Sequence, residues 1–178
     1  MRHTATIGLL VTLLAKSFVF AQDSTQTSKP SPELKKQDFF VGTWMLEGTT
    51  KSSPFGPGGQ KFQSTEQLEW MPGGFFLLVH SYSEGKLAEV TVIGYDQAQK
   101  VFTHTTFNST GKTELWTGTA EGDSWTWTKG GTIHSEPIKE RLVIRKKSSD
   151  SYSFVVEIKP AAGDGWSTVA EGTGTKTR

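Results

Sequence analysis

Short runs of alternating apolar and polar residues, separated by glycine-containing breaks, occupy most of the chain after residue 42. A period of two is typical of half-buried strands, and Thr, Val, Trp and Phe, which fill these runs, favour strands. The predicted strands are 43–51, 61–71, 74–83, 87–96, 100–108, 112–120, 123–129, 138–147, 151–159 and 165–175. We assign breaks such as 72–74 and 129–131 to tight turns. About ten strands joined by short turns predict an all-β fold, a single antiparallel up-and-down β-barrel, because closure removes both sheet edges.

The first 42 residues have a different pattern. Residues 1–21 combine a basic start, an apolar stretch and a small-x-small cleavage site ending at Ala21, which predicts a secretory signal peptide. The apolar stretch is too short for a membrane anchor. Residues 22–30 predict a flexible tether, and residues 31–178 the barrel domain. Ser31-Pro32-Glu33 predicts a short helix ending near residue 37 or 38, with Phe39 and Phe40 plugging one end of the barrel.

Composition excludes several classes of function. Cleavage after Ala21 would leave 157 residues with 17 basic and 18 acidic side chains, so no basic surface for nucleic acid is expected. The chain has no cysteine, which excludes disulfides and thiolate chemistry. We expect an exported bacterial protein, periplasmic or extracellular, with no membrane span after cleavage of the leader.

Residues that share a strand face are candidates for the barrel interior. The candidate ligand-binding residues are Trp44, Leu46, Phe76, Leu78, His80, Tyr82, Phe102, His104, Trp125, Trp127, Arg141 and Tyr152. Charged residues that could also line a cavity are Glu66, Glu69, Glu89, Glu114 and Arg145. Arg141 could bind a carboxylate through two hydrogen bonds, although its charged neighbours also fit a solvated outer face. Strands 74–83 and 87–96 are apolar on both faces, so the helix could pack on their outer side.

Gly42-Thr43-Trp44 resembles the start of the calycin-type, lipocalin-like barrels, in which the Trp closes the barrel floor. Two later blocks, Gly73-Gly74-Phe75-Phe76-Leu77 and Val92-Ile93-Gly94-Tyr95-Asp96, follow in an order that resembles the domain of unknown function 1579. That family is bacterial, often exported and lipocalin-like. The resemblance covers about residues 31–178 and implies the barrel fold but no catalytic residue. The segment 172–178 departs from it, since small residues stand where we expect an aromatic one.

Such barrels usually enclose a ligand, so we expect a small apolar or amphipathic molecule inside this one. Two alternatives stay open: a barrel that acts through its surface, and an enzyme with His80, His104 or Tyr82 as acid–base groups. No cofactor is expected. Haem is the open alternative, because His80 or His104 could ligate iron as in similar haem-binding ten-stranded barrels. No zinc-ligand spacing, nucleophile motif or phosphate loop occurs. The sequence does not predict the oligomeric state.

Overall fold

The computed structural model describes residues 29–177, so the predicted signal peptide and most of the tether lie outside the described residues. Within this range one 3-10 helix, η1 (Pro32–Phe40), precedes ten antiparallel strands. The strands are β1 (Gly42–Thr50), β2 (Lys61–Trp70), β3 (Leu77–Ser83), β4 (Lys86–Asp96), β5 (Val101–Asn108), β6 (Thr113–Glu121), β7 (Ser124–Ile133), β8 (Glu136–Lys146), β9 (Ser151–Pro160) and β10 (Ser167–Thr177). Each strand pairs with its neighbours in the chain, and β1 pairs with β10 to close the barrel. The predicted all-β up-and-down barrel is confirmed.

The helix η1 plugs one end of the barrel. Pro32 occupies its first position, and the Oγ of Ser31 accepts a hydrogen bond from the backbone N–H of Glu33. The Phe40 ring lies 4.7 Å from that of Trp125, and the Trp44 indole N–H donates to the Phe40 carbonyl at 2.7 Å. The aromatic plug is therefore confirmed. The predicted packing of the helix on the outer side of β3 and β4 is wrong, because the buried face of η1 points into the barrel. No helix in residues 29–177 has the length and apolar character needed to cross a bilayer.

Two predicted turns differ from the structure. Gly73 and Gly74 both have positive φ, so the turn extends to Phe76 and β3 begins only at Leu77. In contrast, β7 continues through residues 129–131, and the turn lies at His134 and Ser135. Pairing with β8 supplies the backbone hydrogen bonds of this extension, and the buried Ile138 side chain covers Gly131. Cross-strand pairing thus outweighs the low strand propensity of glycine.

The small residues of β10 have a packing reason. A Cβ on Gly174 would lie 2.2 Å from the Tyr152 ring, and one on Gly172 would lie 2.5 Å from the Phe154 ring. Both rings belong to β9, the neighbour of β10 in the barrel. The aromatic side chains expected in the last strand therefore come from β9, and glycine in β10 makes room for them.

Candidate functional site

Above the η1 plug, the barrel contains a cavity of about 320 Å³. Its walls are mostly apolar and include Leu46, Leu68, Val79 and Phe154. The polar lining residues are Gln37, Glu66, Ser81, Glu89, Thr91, His104, Thr106 and Glu114. An apolar cavity of this size with a few converging polar groups is typical of a small-molecule site.

The structure brings together part of the predicted site. Leu46, His104, Trp127 and Tyr152 line the cavity. Trp44, Phe102 and Trp125 are almost fully buried in the core, and they do not line the cavity itself. Of the charged candidates, Glu66, Glu89 and Glu114 line it, whereas Glu69 and Arg145 are exposed.

The predicted inner face of β3 is wrong. Val79 and Ser81 line the cavity, so Leu78, His80 and Tyr82 lie on the opposite face of the strand. Because β3 is apolar on both faces, alternation alone could not identify the buried one.

Phe76 is also outside the cavity. It precedes β3, is 46% exposed, and covers Gly94 on the outer surface. The three acid–base candidates do not form one site. His104 lies inside the barrel, whereas His80 and Tyr82 lie on its outer face, with the barrel wall between them.

Arg141 also lies outside the cavity. Its neighbour Leu142 lines the interior, so alternation places Arg141 on the outer face. There it pairs with the Glu157 carboxylate, and its guanidinium stacks 4.3 Å from the centre of the Trp166 ring. The solvated-face alternative is therefore correct for Arg141, and a carboxylate site inside the barrel is not formed by it.

Two glutamates lie on one row of the cavity wall, two strands apart. Ser81 on β3 is the register partner of Glu66 on β2 and of Glu89 on β4, so the three side chains follow one row across neighbouring strands. Burial, with the Glu89 charge as a second cause, raises the pKa of Glu66 from 4.5 to about 7. Burial also raises the pKa of Glu89, as does Glu114, while Lys129 opposes the increase. The cavity therefore holds carboxyl groups in surroundings that stabilise their charge poorly.

A lysine neutralises the third cavity carboxylate. The Lys129 ammonium lies 2.5 Å from a Glu114 oxygen and 3.3 Å from a Glu140 oxygen, and 4.4 Å from the centre of the Trp116 ring. The hydrogen bond from Lys129 keeps the pKa of Glu114 below its usual value. Lys129 is thus already bound by two carboxylates.

Among the histidines of residues 29–177, His104 is the one that lines the cavity. Its Nε2 lies 2.9 Å from the Thr106 hydroxyl, which is itself 2.7 Å from the Thr91 hydroxyl. Burial lowers the pKa of His104 to about 4, so the imidazole is neutral at pH 7. Its Nδ1 has no hydrogen-bond partner among the described residues. One ring nitrogen of this cavity-lining histidine is therefore a buried polar atom without a hydrogen bond.

Gln37 is the functional candidate that the sequence did not reveal. Its side chain is 0% exposed and lines the cavity, yet neither its amide nitrogen nor its oxygen has a partner in residues 29–177. Leaving a buried polar group unsatisfied costs about 1–3 kcal/mol. The one sequence signal is the spacing of Leu34, Gln37 and Phe40 by three residues, which aligns them on one face at the three residues per turn of a 3-10 helix.

Comparison with known proteins identifies the family of this chain. A family model described as "Protein of unknown function (DUF1579)" matches residues 29–176. The chain belongs to this family. No curated protein matches this DUF1579 chain.

Two solved structures are similar to the DUF1579 barrel. Rv2717c from M. tuberculosis is 13% identical, with a TM-score of 0.52 over 84% of this chain and all of that one. A protein of unknown function from the DUF3598 family of Nostoc punctiforme is 9% identical, with a TM-score of 0.27 over 83% of this chain and all of that one. The first likeness shows a shared fold alone.

The haem alternative now concerns one histidine of the DUF1579 barrel. His80 lies on the outer face of β3 and His134 in the exposed turn after β7, which leaves His104 as the candidate iron ligand. Within residues 29–177, no three His, Asp or Glu side chains are arranged to hold a metal ion. Gln37, Glu66, Glu89 and His104 are the polar groups of the lining that could contact a bound molecule.

Proposed function

We propose that this DUF1579 protein is an exported barrel that binds a small apolar or amphipathic molecule in its cavity. The observation that supports the proposal is the cavity of about 320 Å³, with apolar walls and the unpartnered Gln37 amide. Pockets of about 300–1,000 Å³ with this composition are typical of small-molecule sites.

The polar groups of the cavity argue against a barrel that only has to pack. An apolar side chain in place of Glu66 would avoid the desolvation of a carboxylate, and in place of Gln37 it would avoid two unsatisfied amide atoms. Neither group forms a hydrogen bond that would stabilise the fold within the described residues. A ligand that contacts both would offset these costs.

Action through the outer surface is the alternative that we keep. Phe107 on β5 and Leu115 on β6 are 51% and 69% exposed and lie near each other on adjacent strands. Exposed apolar patches are common at interaction sites. The cavity is preferred because it combines enclosure, apolar area and unpartnered polar groups, whereas the patch offers apolar area alone.

Native and denaturing mass spectrometry of protein secreted into a bacterial periplasm tests the proposal. A matched pair of variants uses one strand: Val156→Trp fills the cavity, and Val155→Trp places the same side chain on the outer face. We expect an extra mass that denaturation releases in the wild type and in Val155→Trp, and its loss in Val156→Trp.

Two results would count against a cavity ligand. An extra mass that Val156→Trp retains in full would place the bound molecule elsewhere. A wild-type protein that carries no extra mass, and does not bind the neutral probe N-phenyl-1-naphthylamine, would move the assignment to the outer surface.

A further inference from the structure

We propose that the ligand of this barrel is an organic cation, a protonated amine on an apolar body, bound by the Glu66 and Glu89 carboxylates and the Gln37 amide. The inference rests on the proposed function, since it specifies the chemistry of the molecule that the cavity binds. Three observations carry it: the charge balance of the cavity, the register that brings the two glutamates together, and the unpartnered Gln37.

The charge balance of the cavity is strongly acidic. Glu66, Glu89 and Glu114 line it, and no lysine or arginine of the described range does so. Lys129 forms ion pairs with Glu114 and with Glu140; its charge only partly opposes the rise in the pKa of Glu89, and it is not among the causes that shift the pKa of Glu66. Neither Glu66 nor Glu89 is stabilised by a hydrogen bond within residues 29–177. A cation from outside the chain would neutralise this excess, whereas an anionic ligand such as a fatty acid would increase the repulsion.

The geometry suits one ammonium group. Ser81 lies between Glu66 and Glu89 in the register of three adjacent strands, so the two carboxyl groups belong to one row. An ammonium has three N–H donors and no acceptor. Two of these donors would serve the two carboxylates, which would leave the third for another acceptor. The Gln37 side-chain oxygen is a buried acceptor in the same cavity lining without a partner in residues 29–177.

The other surroundings of Glu66 agree with this assignment. Burial, and secondly Glu66 itself, raise the pKa of the Tyr152 phenol, so Tyr152 stays protonated and uncharged. His104 is neutral at pH 7 and adds no competing charge. The apolar body of the amine would contact aliphatic walls such as Leu46, Leu68 and Val79. Tyr152 and His104 therefore place no positive charge near the proposed ammonium, so they would not repel it.

Calorimetric titration of the mature, folded protein with three probes of equal chain length tests the inference: octylamine, 1-octanol and octanoate. At pH 8 we expect octylamine to bind at least tenfold more tightly than either of the others. Glu66→Gln should weaken octylamine at least tenfold and leave 1-octanol unchanged. Glu69→Gln, on the exposed face of the same strand, is the matched control and should change neither affinity.

The pH dependence is a second readout. If octylamine binds the ionised form of Glu66, whose pKa is raised to about 7, its affinity should rise about 30-fold between pH 5.5 and pH 8. The affinity for 1-octanol should stay flat. Glu89→Gln provides a second variant if Glu66→Gln does not fold.

The outcomes separate this inference from the proposed function. Octanol or octanoate binding as tightly as octylamine, or an octylamine affinity that neither Glu66→Gln nor Glu89→Gln weakens, would overturn the cation assignment and leave cavity binding intact. Failure of all three probes, in a protein whose native mass includes a releasable ligand, would likewise overturn the cation assignment alone. Failure of all three in a protein with no such mass would overturn the cation assignment alone if N-phenyl-1-naphthylamine still binds, and both proposals if it does not.

Discussion

Replacing Glu66 with glutamine should make this protein more stable at pH 8 and leave its stability unchanged at pH 4. The carboxyl of Glu66 lies inside the cavity, where burial and the neighbouring Glu89 charge raise its pKa from 4.5 to about 7. Glutamine has nearly the same size and shape, but it carries no charge at any pH. The variant therefore removes the unfavourable ionisation and little else.

The sign of the effect follows from proton linkage. Between pH 4.5 and pH 7 the folded protein holds a proton on Glu66 that the unfolded chain has released. Below pH 4.5 Glu66 is protonated in both states and does not lower the free energy of unfolding. As the pH rises from 4.5 towards 7, the free energy of unfolding of the wild type falls. The difference between the two pKa values corresponds to about 3 kcal/mol, at about 1.4 kcal/mol for each pKa unit. We expect Glu66→Gln to exceed the wild type by up to about 3 kcal/mol at pH 8.

Urea unfolding followed by tryptophan fluorescence at pH 4, 5, 6, 7 and 8 measures this difference, and the six tryptophans of the chain supply the signal. Carboxyl groups that do not interact with Glu66 titrate alike in both proteins, so their contributions cancel in the comparison; Glu89 is the coupled exception. Glu69→Gln is the control for removal of a negative charge from the same strand, and its difference from the wild type should stay within about 0.5 kcal/mol at every pH.

A difference between Glu66→Gln and the wild type that does not change with pH would refute the reasoning. A wild type more stable than the variant at pH 8 would refute it more strongly, because the ionised carboxylate would then be stabilised by the fold. If the reasoning holds, octylamine at 100 times its Kd should add about 2.7 kcal/mol to the wild type at pH 8, and much less to the variant.

Three further predictions concern other parts of the molecule. Gly174→Ala should destabilise the barrel by about 1–3 kcal/mol in urea unfolding, because its Cβ would lie 2.2 Å from the Tyr152 ring; an unchanged midpoint would contradict the packing argument. Haemin should give no shifted Soret band, since the cavity carboxylates oppose the haem propionates; a band that His104→Ala abolishes would show the opposite. Expression in a bacterium should give an exported product beginning at Gln22 by N-terminal sequencing, and a product that keeps residue 1 would exclude the predicted leader.

The sequence was sufficient to predict the fold because local signals agree along the chain. Strand alternation, turn residues and the Ser31-Pro32 helix start each point to the same ten-stranded barrel, and the order of β1 to β10 needs no crossover. Errors arose where a local signal was ambiguous. The two faces of β3 are both apolar, so alternation assigned His80 to the wrong side, and Gly130-Gly131 resembles a turn although pairing with β8 keeps it in a strand.

The polar part of the site was harder to predict, because it depends on contacts between distant segments. Glu89 lies in one row with Glu66 only because the pairing of β3 and β4 shifts by one residue between Ser81 and Tyr82. Sequence alone does not show where such a bulge occurs. Gln37 lies three residues from both Leu34 and Phe40, so the 3-10 helix places it on their buried face, but nothing in the sequence marks a polar glutamine at that position as buried.

The position of this bulge links the fold to the chemistry of the cavity. The extra residue that it introduces, Ala88, is the one residue of this stretch of β4 without a partner on β3. Leu87 and Glu89 are two residues apart, so in a regular strand they would lie on the same face, because alternation has a period of two. The extra residue places them on opposite faces. Without the bulge, Glu89 would share the outer face with Leu87, which is 47% exposed, and would not line the cavity. The irregularity thus keeps a carboxylate inside an apolar cavity, beside a second one whose charge the fold does not stabilise. Packing alone gives no reason for that arrangement, whereas the proposed recognition of a cation would.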